Sequence, residues 1–205
     1  MNKILLVFLF MSSLVGAQQK MTNTEAETLK ALVKNRASQT KTIVSDFTQY
    51  KHLDFLSNDI VTQGKLHFKS PDFVKWAYVK PFQYSVIFKN KTLFINNEGS
   101  KSEVDVGSSK MFTELNNLIV KSVKGDMFDD VQFAITYFNI EEGSLVQFEP
   151  KDSKMSEFIK SFHIVFSEKG DVETIKMIES SGDYTKIAFT NRVLNSTISN
   201  AIFNN

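Results

Sequence analysis

Three histidines, His52, His67 and His163, are the first places to look for acid–base or metal chemistry, and each stands alone in a strand-like stretch. A histidine metal site needs a second ligand at fixed spacing, as in His-Glu-x-x-His, and the chain has no such motif. His67 and His163 alternate with apolar neighbours, which predicts that both lie on the solvated face of a sheet. Carboxylates offer a second route: Asp126, Asp129 and Asp130 follow Gly125, where a paired-carboxylate hydrolase or a Ca²⁺ site can be imagined. Their spacing fits no calcium-ligand loop, and a glycine that stops a helix before acidic residues is the pattern of a solvated loop. Nucleophile signatures are missing as well, with no Gly-x-Ser-x-Gly, no phosphate-cradling glycine loop and no cysteine in 205 residues. Without cysteine there is no thiolate nucleophile, disulfide, Cys-bound metal or acylated N-terminal Cys.

Charge gives no handle on polyanions. Lys and Arg number 24 against 23 Asp and Glu, a formal charge of +1 with the signs interspersed, so no long-range field draws nucleic acid to the chain. Lys65-Leu66-His67-Phe68-Lys69 and Lys75-Trp76-Ala77-Tyr78-Val79-Lys80 interleave basic and aromatic residues, as binders of single-stranded nucleic acid do. On alternating strands the same pattern places Lys on a wet convex face and the aromatics on a concave one. The distinctive count is 19 Phe within an aromatic fraction of 12%. Phe brings apolar area with no polar tip to satisfy, so a large apolar interior is expected, either close-packed core or a cavity for an apolar ligand.

Several elements must hold these residues in place. Residues 1–17 read as a secretory signal peptide: Lys3, an apolar run over 4–11, then small residues ending in Gly16-Ala17, with cleavage expected after Ala17. That run is well short of the ~20 residues of a membrane-spanning helix. No linker, low-complexity tract or repeat divides residues 18–205, which are expected to form a single domain. Thr24 and Glu27 have capping-box spacing and open an amphipathic helix with Ala26, Leu29, Leu32 and Val33 on one face. From about Val44 the apolar period becomes two, with strand-length runs at 64–69, 73–79, 84–89 and 92–96. Helical spacing returns through Met111, Phe112, Leu115, Leu118, Ile119 and Val123, and strands resume at 132–139, 144–149, 161–167, 172–179 and 184–190. The fold class is mainly β (α+β). Too few helices exist to cover a flat sheet, so an incomplete, strongly curved antiparallel β-barrel of about ten or eleven strands is expected, with helices covering its mouth.

Within this pattern, Phe47-Thr48-Gln49, the hairpin Gly64-Lys65-Leu66-His67-Phe68-Lys69-Ser70-Pro71 running on to Trp76 and Tyr78, and Lys80-Pro81 resemble the signature of the LolA family of periplasmic outer-membrane lipoprotein carriers. Lys89-Asn90-Lys91-Thr92-Leu93, Glu168-Lys169-Gly170-Asp171 and the closing Phe189-Thr190-Asn191, Asn195, Ile198 and Phe203 are similar too. The resemblance implies a soluble periplasmic monomer that shelters the acyl chains of lipoproteins in an apolar cavity, with no cofactor. It also implies partners: acylated lipoproteins, an inner-membrane ATP-driven releasing complex and, where present, an outer-membrane receptor.

Alternation, together with the resemblance, assigns Phe47, Leu66, Phe68, Trp76, Phe88, Phe166 and Met177 to the lipid-binding cavity, joined by Phe112, Leu115 and Ile119 from the central helix. Ser70 departs from the family. Many relatives carry Arg there, tying the lid to the barrel, and a serine cannot reach or fork in that way. Two other readings stay open. One is a carrier or sensor of another lipid or glycolipid on the same fold, and the other is a secreted hydrolase using Asp126, Asp129 and Asp130.

Overall fold

The computed structural model describes residues 18–89, 92–105, 121 and 126–204. The expected signal peptide, and Phe112, Leu115 and Ile119 of the central helical stretch, lie outside the described residues. Among the described residues, no helix is long and apolar enough to cross a membrane.

A short strand β1 (Gln19–Lys20) leads into helix α1 (Asn23–Gln39). The chain then runs through a meander of β2 (Thr42–His52), β3 (Ile60–Lys69), β4 (Phe73–Lys80), β5 (Tyr84–Lys89), β6 (Thr92–Asn97) and β7 (Ser100–Asp105). A second meander comprises β8 (Phe133–Ile140), β9 (Gly143–Pro150), the one-turn helix α2 (Ser153–Ser156), β10 (Ile159–Phe166), β11 (Val172–Glu179) and β12 (Tyr184–Leu194). All twelve strands join one antiparallel sheet in the order β1-β8-β9-β10-β11-β12-β2-β3-β4-β5-β6-β7. Because β12 pairs with β2, the two meanders meet in the middle of the sheet, and the edges β1 and β7 do not pair with each other. The result is the curved, unclosed half-barrel.

The two strands that alternation does not locate, β1 and β7, have a physical reason for being hard to read. β1 is only two residues long, paired to Phe138 and Asn139 of β8, and β7 reads Ser-Lys-Ser-Glu-Val-Asp, with one apolar residue and so no alternation to detect. The helix start also differs. The spacing Thr-x-x-Glu occurs twice, and the earlier copy caps α1: Thr22 Oγ1 accepts from the Glu25 amide at 3.3 Å while Glu25 Oε2 accepts from the Thr22 amide at 2.7 Å. Glu25 also accepts from Asn139 of β8 at 3.2 Å, a tie between helix and sheet that Glu27 does not make. These bonds, the Thr22 amide first, hold the Glu25 carboxyl below its usual range.

One face of the sheet is predominantly apolar, with Ser45 and Thr62 its buried polar exceptions on β2 and β3. Phe47, Leu66, Phe68 and Trp76 from β2 to β4 share a single buried cluster with Phe148, Phe162 and Phe166 from β9 and β10, Met177 from β11 and Ile187 from β12. Leu29 and Val33 of α1 belong to the same cluster, so the helix lies on the concave side. Each such side chain contributes roughly 1.5–3 kcal/mol by leaving water. The convex side is not uniformly wet. A 3₁₀ turn at Asn200–Phe203 docks there, Phe203 and Ile198 pack on Ile87, and Lys69 and Lys75 donate to the Ile198 and Ile202 carbonyls at 3.0 Å each. His67 and His163 are half-buried instead of solvated, and burial pulls both below the usual histidine range.

The centre of the concave face is Phe47, whose ring meets Trp76 and Tyr78 edge-on at centroid distances of 4.9 and 5.1 Å. Its cross-strand partner is Gly64, and the absence of a side chain there leaves room for the ring. A Cβ at Gly64 would stand 2.4 Å from the Ala77 carbonyl oxygen and 2.5 Å from Phe47 Cζ, and neither a sheet carbonyl nor a buried ring can retreat cheaply. Gly64→Ala is therefore expected to cost about 2 kcal/mol or more. Equilibrium urea unfolding measures it, and an unchanged midpoint would contradict this packing.

Candidate ligand-binding site

A small cavity opens between α1 and the sheet. Val33, Arg36 and Ala37 of α1 form one wall, and Ile43, Leu66, Ile175 and Phe189 form the floor on β2, β3, β11 and β12. Asp171 and Arg192 stand at its rim, and its volume is about 60 Å³, room for a few water-sized groups. Its surface is mostly apolar, and its polar groups are gathered on one side.

Those polar groups fasten the helix. Arg36, in the last turn of α1, donates from Nε to Asp171 Oδ1 at 2.9 Å and from Nη2 to Oδ2 at 2.8 Å, a bidentate pair that fixes direction as well as distance. The bond to Asp171 raises the Arg36 pKa above its ordinary value. Asp171 is presented by the tight turn between β10 and β11, where its amide donates to Ser167 Oγ at 3.2 Å and Gly170 takes a φ of +78°. Gly170 also lets the helix come close: a Cβ there would lie 3.1 Å from Leu32 Cγ. Leu32, expected on the buried face, is 36% exposed and marks the edge of this contact. In the middle of the helix Lys30 lies over the Tyr137 ring of β8, 5.3 Å from its centroid.

Arg192 reaches the rim through a β-bulge. The pairing of β12 with β2 shifts between Thr190 and Val193, and Asn191 adopts a φ of +51°. The guanidinium sits over Phe189, 5.9 Å from the ring centroid, donates to the Val172 carbonyl, and lies 3.6 Å from Asp171 Oδ1. Burial is the main reason its pKa falls below the usual arginine value.

The expected cavity residues divide. Leu66 lines the cavity, whereas Phe47, Phe68, Trp76, Phe166 and Met177 are 3% exposed or less and pack as core around it. Phe88 is half-buried against that cluster. Ser70 is exposed in the turn between β3 and β4, and its amide donates to the Lys41 carbonyl, just past α1, at 2.8 Å. Tyr78, at the far end of the concave face, donates to Gln49 at 3.0 Å, and burial pushes its hydroxyl up to about 12. The acidic stretch serves a turn: Asp129 Oδ1 accepts from the amides of Val131 and Gln132 at 3.1 and 3.2 Å. Among the described residues no group of three or more His, Cys, Asp or Glu could hold a metal ion. Sequence reasoning missed Arg36, Asp171, Phe189 and Arg192 as site residues, although Gly170-Asp171 and Phe189 stood within stretches it had singled out.

Because Arg36 holds α1 across the cavity, Arg36→Gln is expected to weaken the helix's attachment by about 1–2 kcal/mol. The measurable result is stronger binding of a hydrophobic dye together with faster amide exchange in α1 and little change in the sheet strands. Unchanged exchange in α1 would show that the pair does not hold the helix.

The family model for the outer membrane lipoprotein carrier protein LolA matches residues 38–205. No curated protein matches the sequence significantly. Among solved structures, the Pseudomonas aeruginosa MucA/MucB complex is similar over 88% of this chain and 61% of that chain, with a TM-score of 0.52 and 9% identity. The Mycobacterium tuberculosis lipoprotein LppX is similar over 87% of this chain and 99% of that one, with a TM-score of 0.51 and 5% identity. A DUF1329 family protein from Desulfovibrio piger is similar over 87% and 96% of the two chains, with a TM-score of 0.50 and 12% identity. At such identities these structures share a fold with this chain and nothing finer follows from them. The family match is of another kind, since it runs from the end of α1 through every strand from β2 to β12, and on it the chain belongs to the LolA family of outer membrane lipoprotein carrier proteins.

Proposed function

We propose that the protein is a soluble periplasmic carrier that takes the acyl chains of lipoproteins under α1 and moves them from the inner to the outer membrane. The match to the lipoprotein-carrier family over residues 38–205 is the observation that carries this reading. The chemistry agrees with it: the concave face is apolar, and each CH₂ of an acyl chain left in water costs about 0.8 kcal/mol, so an unsheltered anchor would aggregate or reinsert.

A cavity of about 60 Å³ is far too small for an acyl chain, so loading requires α1 to lift or the core beneath it to repack. Arg36 and Asp171 set the cost of lifting. A modest cost suits a carrier, which must release its cargo to a tighter receptor and generates no free energy of its own. Loading then belongs to an inner-membrane ATP-driven releasing complex, and unloading to an outer-membrane receptor where one exists. One observation favours a second reading, a carrier or sensor of another lipid or glycolipid: Ser70 stands where many relatives hold Arg.

Incubating the purified protein with spheroplasts of its own host tests the proposal. A newly acylated lipoprotein is expected to leave the membrane as a soluble one-to-one complex. Failure with folded protein and a working releasing complex would favour the second reading, which lipid extraction and mass spectrometry of the purified protein would then examine.

A further inference from the structure

Arg192 is a half-buried cation with donors to spare. Its side chain is 18% exposed, it gives one hydrogen bond to the Val172 carbonyl, and its Nε is buried with no hydrogen-bond partner among the described residues. Asp171, the nearest carboxylate, accepts a bidentate pair from Arg36 at 2.9 and 2.8 Å and stands 3.6 Å from Arg192 Nη1, an ion-pair distance rather than a hydrogen bond. The Nε is sealed from the cavity, but a planar guanidinium offers five N–H groups and only one is spent on the Val172 carbonyl, so an acceptor that reaches the Nη groups at this rim would be stabilised. The β12 bulge that brings Arg192 here places it on the wall of the apolar cavity.

The chemistry of that acceptor follows from the local charge. Arg36 and Arg192 are offset by Asp171 and Glu173, the charged groups that act on Arg192. Two cations against two carboxylates leave no net positive charge to reward an anion, while the unused N–H still rewards a neutral oxygen. An acyl chain in the cavity brings such an oxygen: the carbonyl of the ester or amide through which it is linked.

We propose that Arg192 is a ligand-binding residue that donates to the carbonyl oxygen of an ester- or amide-linked acyl chain, so that the site selects carbonyl-linked chains over alkyl chains of equal length. The inference rests on the acyl-chain reading above and specifies its ligand.

The test compares 1-palmitoylglycerol with 1-hexadecylglycerol, which differ only in an ester carbonyl against a CH₂, each displacing a fluorescent hydrophobic probe below its own aggregation concentration. The wild-type protein is expected to bind the ester roughly tenfold more tightly, the value of one hydrogen bond to a charged group. Arg192→Met is expected to lose that preference, and Arg192→Lys, which keeps the charge without the fork, to lose most of it. Equal binding of ester and ether by the wild type overturns the role of Arg192 and leaves the acyl-carrier reading standing. Binding of neither removes both. Palmitate binding more tightly than the ester would overturn the preference for a neutral acceptor. A folded Arg192→Met or Arg192→Lys variant that keeps the full ester preference would assign the donor elsewhere and overturn the proposal, and equal wild-type binding overturns it whether or not a variant folds.

Discussion

A wide sheet with one largely apolar face must hide that face, and among the described residues it has little to hide it with. Twelve strands share the sheet, and α1 is the one described helix longer than a single turn. Curling is the available solution: strands twist by their own stereochemistry, and a strongly coiled sheet lets β2 to β4 pack against β9 to β12 across the concavity. Phe47 and Trp76 from one meander thus enter the same cluster as Phe148 and Phe166 from the other. The glycine opposite Phe47 is part of the same constraint, because the ring occupies the space a side chain at Gly64 would need.

The curl also creates the opening that α1 covers. Leu29 and Val33 supply its apolar contact, and Arg36 gives a fixed orientation through a bidentate bond to Asp171. These two attachments differ in character. Apolar contact tolerates sliding, whereas a bidentate pair is made or broken, so the pair fixes the helix's orientation where apolar contact alone would not. In this chain the cation that holds helix to sheet comes from the helix itself, and the carboxylate from the β10–β11 turn.

Much of the fold was legible because the relevant signals are local. Alternation located ten of the strands, and Ala26, Leu29 and Val33 marked the buried side of α1. Alternation, helped by the resemblance, put Phe47, Phe68 and Trp76 on the concave side, although Phe73 and Phe94 pack on the other. The site was less legible, for reasons that can be named. Arg36 and Asp171 are 135 positions apart, and no periodicity couples two polar residues across that distance. Arg192 escapes alternation because the bulge at Asn191 breaks it, so the residue's direction depends on a φ of +51° that the sequence does not announce. The earlier capping box prevailed over the later one through a tertiary bond to Asn139, again beyond local reach. A sheet-covering tail was equally hidden: Ile198 and Phe203 follow no strand pattern, yet they bury part of a face that alternation marks as wet.

The central claim is that an acyl chain enters the concave interior beneath α1. Trp76 is the chain's sole tryptophan, 3% exposed, and lies 6.1 Å from the cavity-floor ring of Phe189 between ring centroids. Its fluorescence therefore reports on that interior with no engineering. A monoacylglycerol brominated midway along its chain should quench Trp76 in step with binding, while acrylamide in the surrounding water should not. Saturable binding that leaves Trp76 fluorescence unchanged would place the chain elsewhere on the protein and contradict the claim.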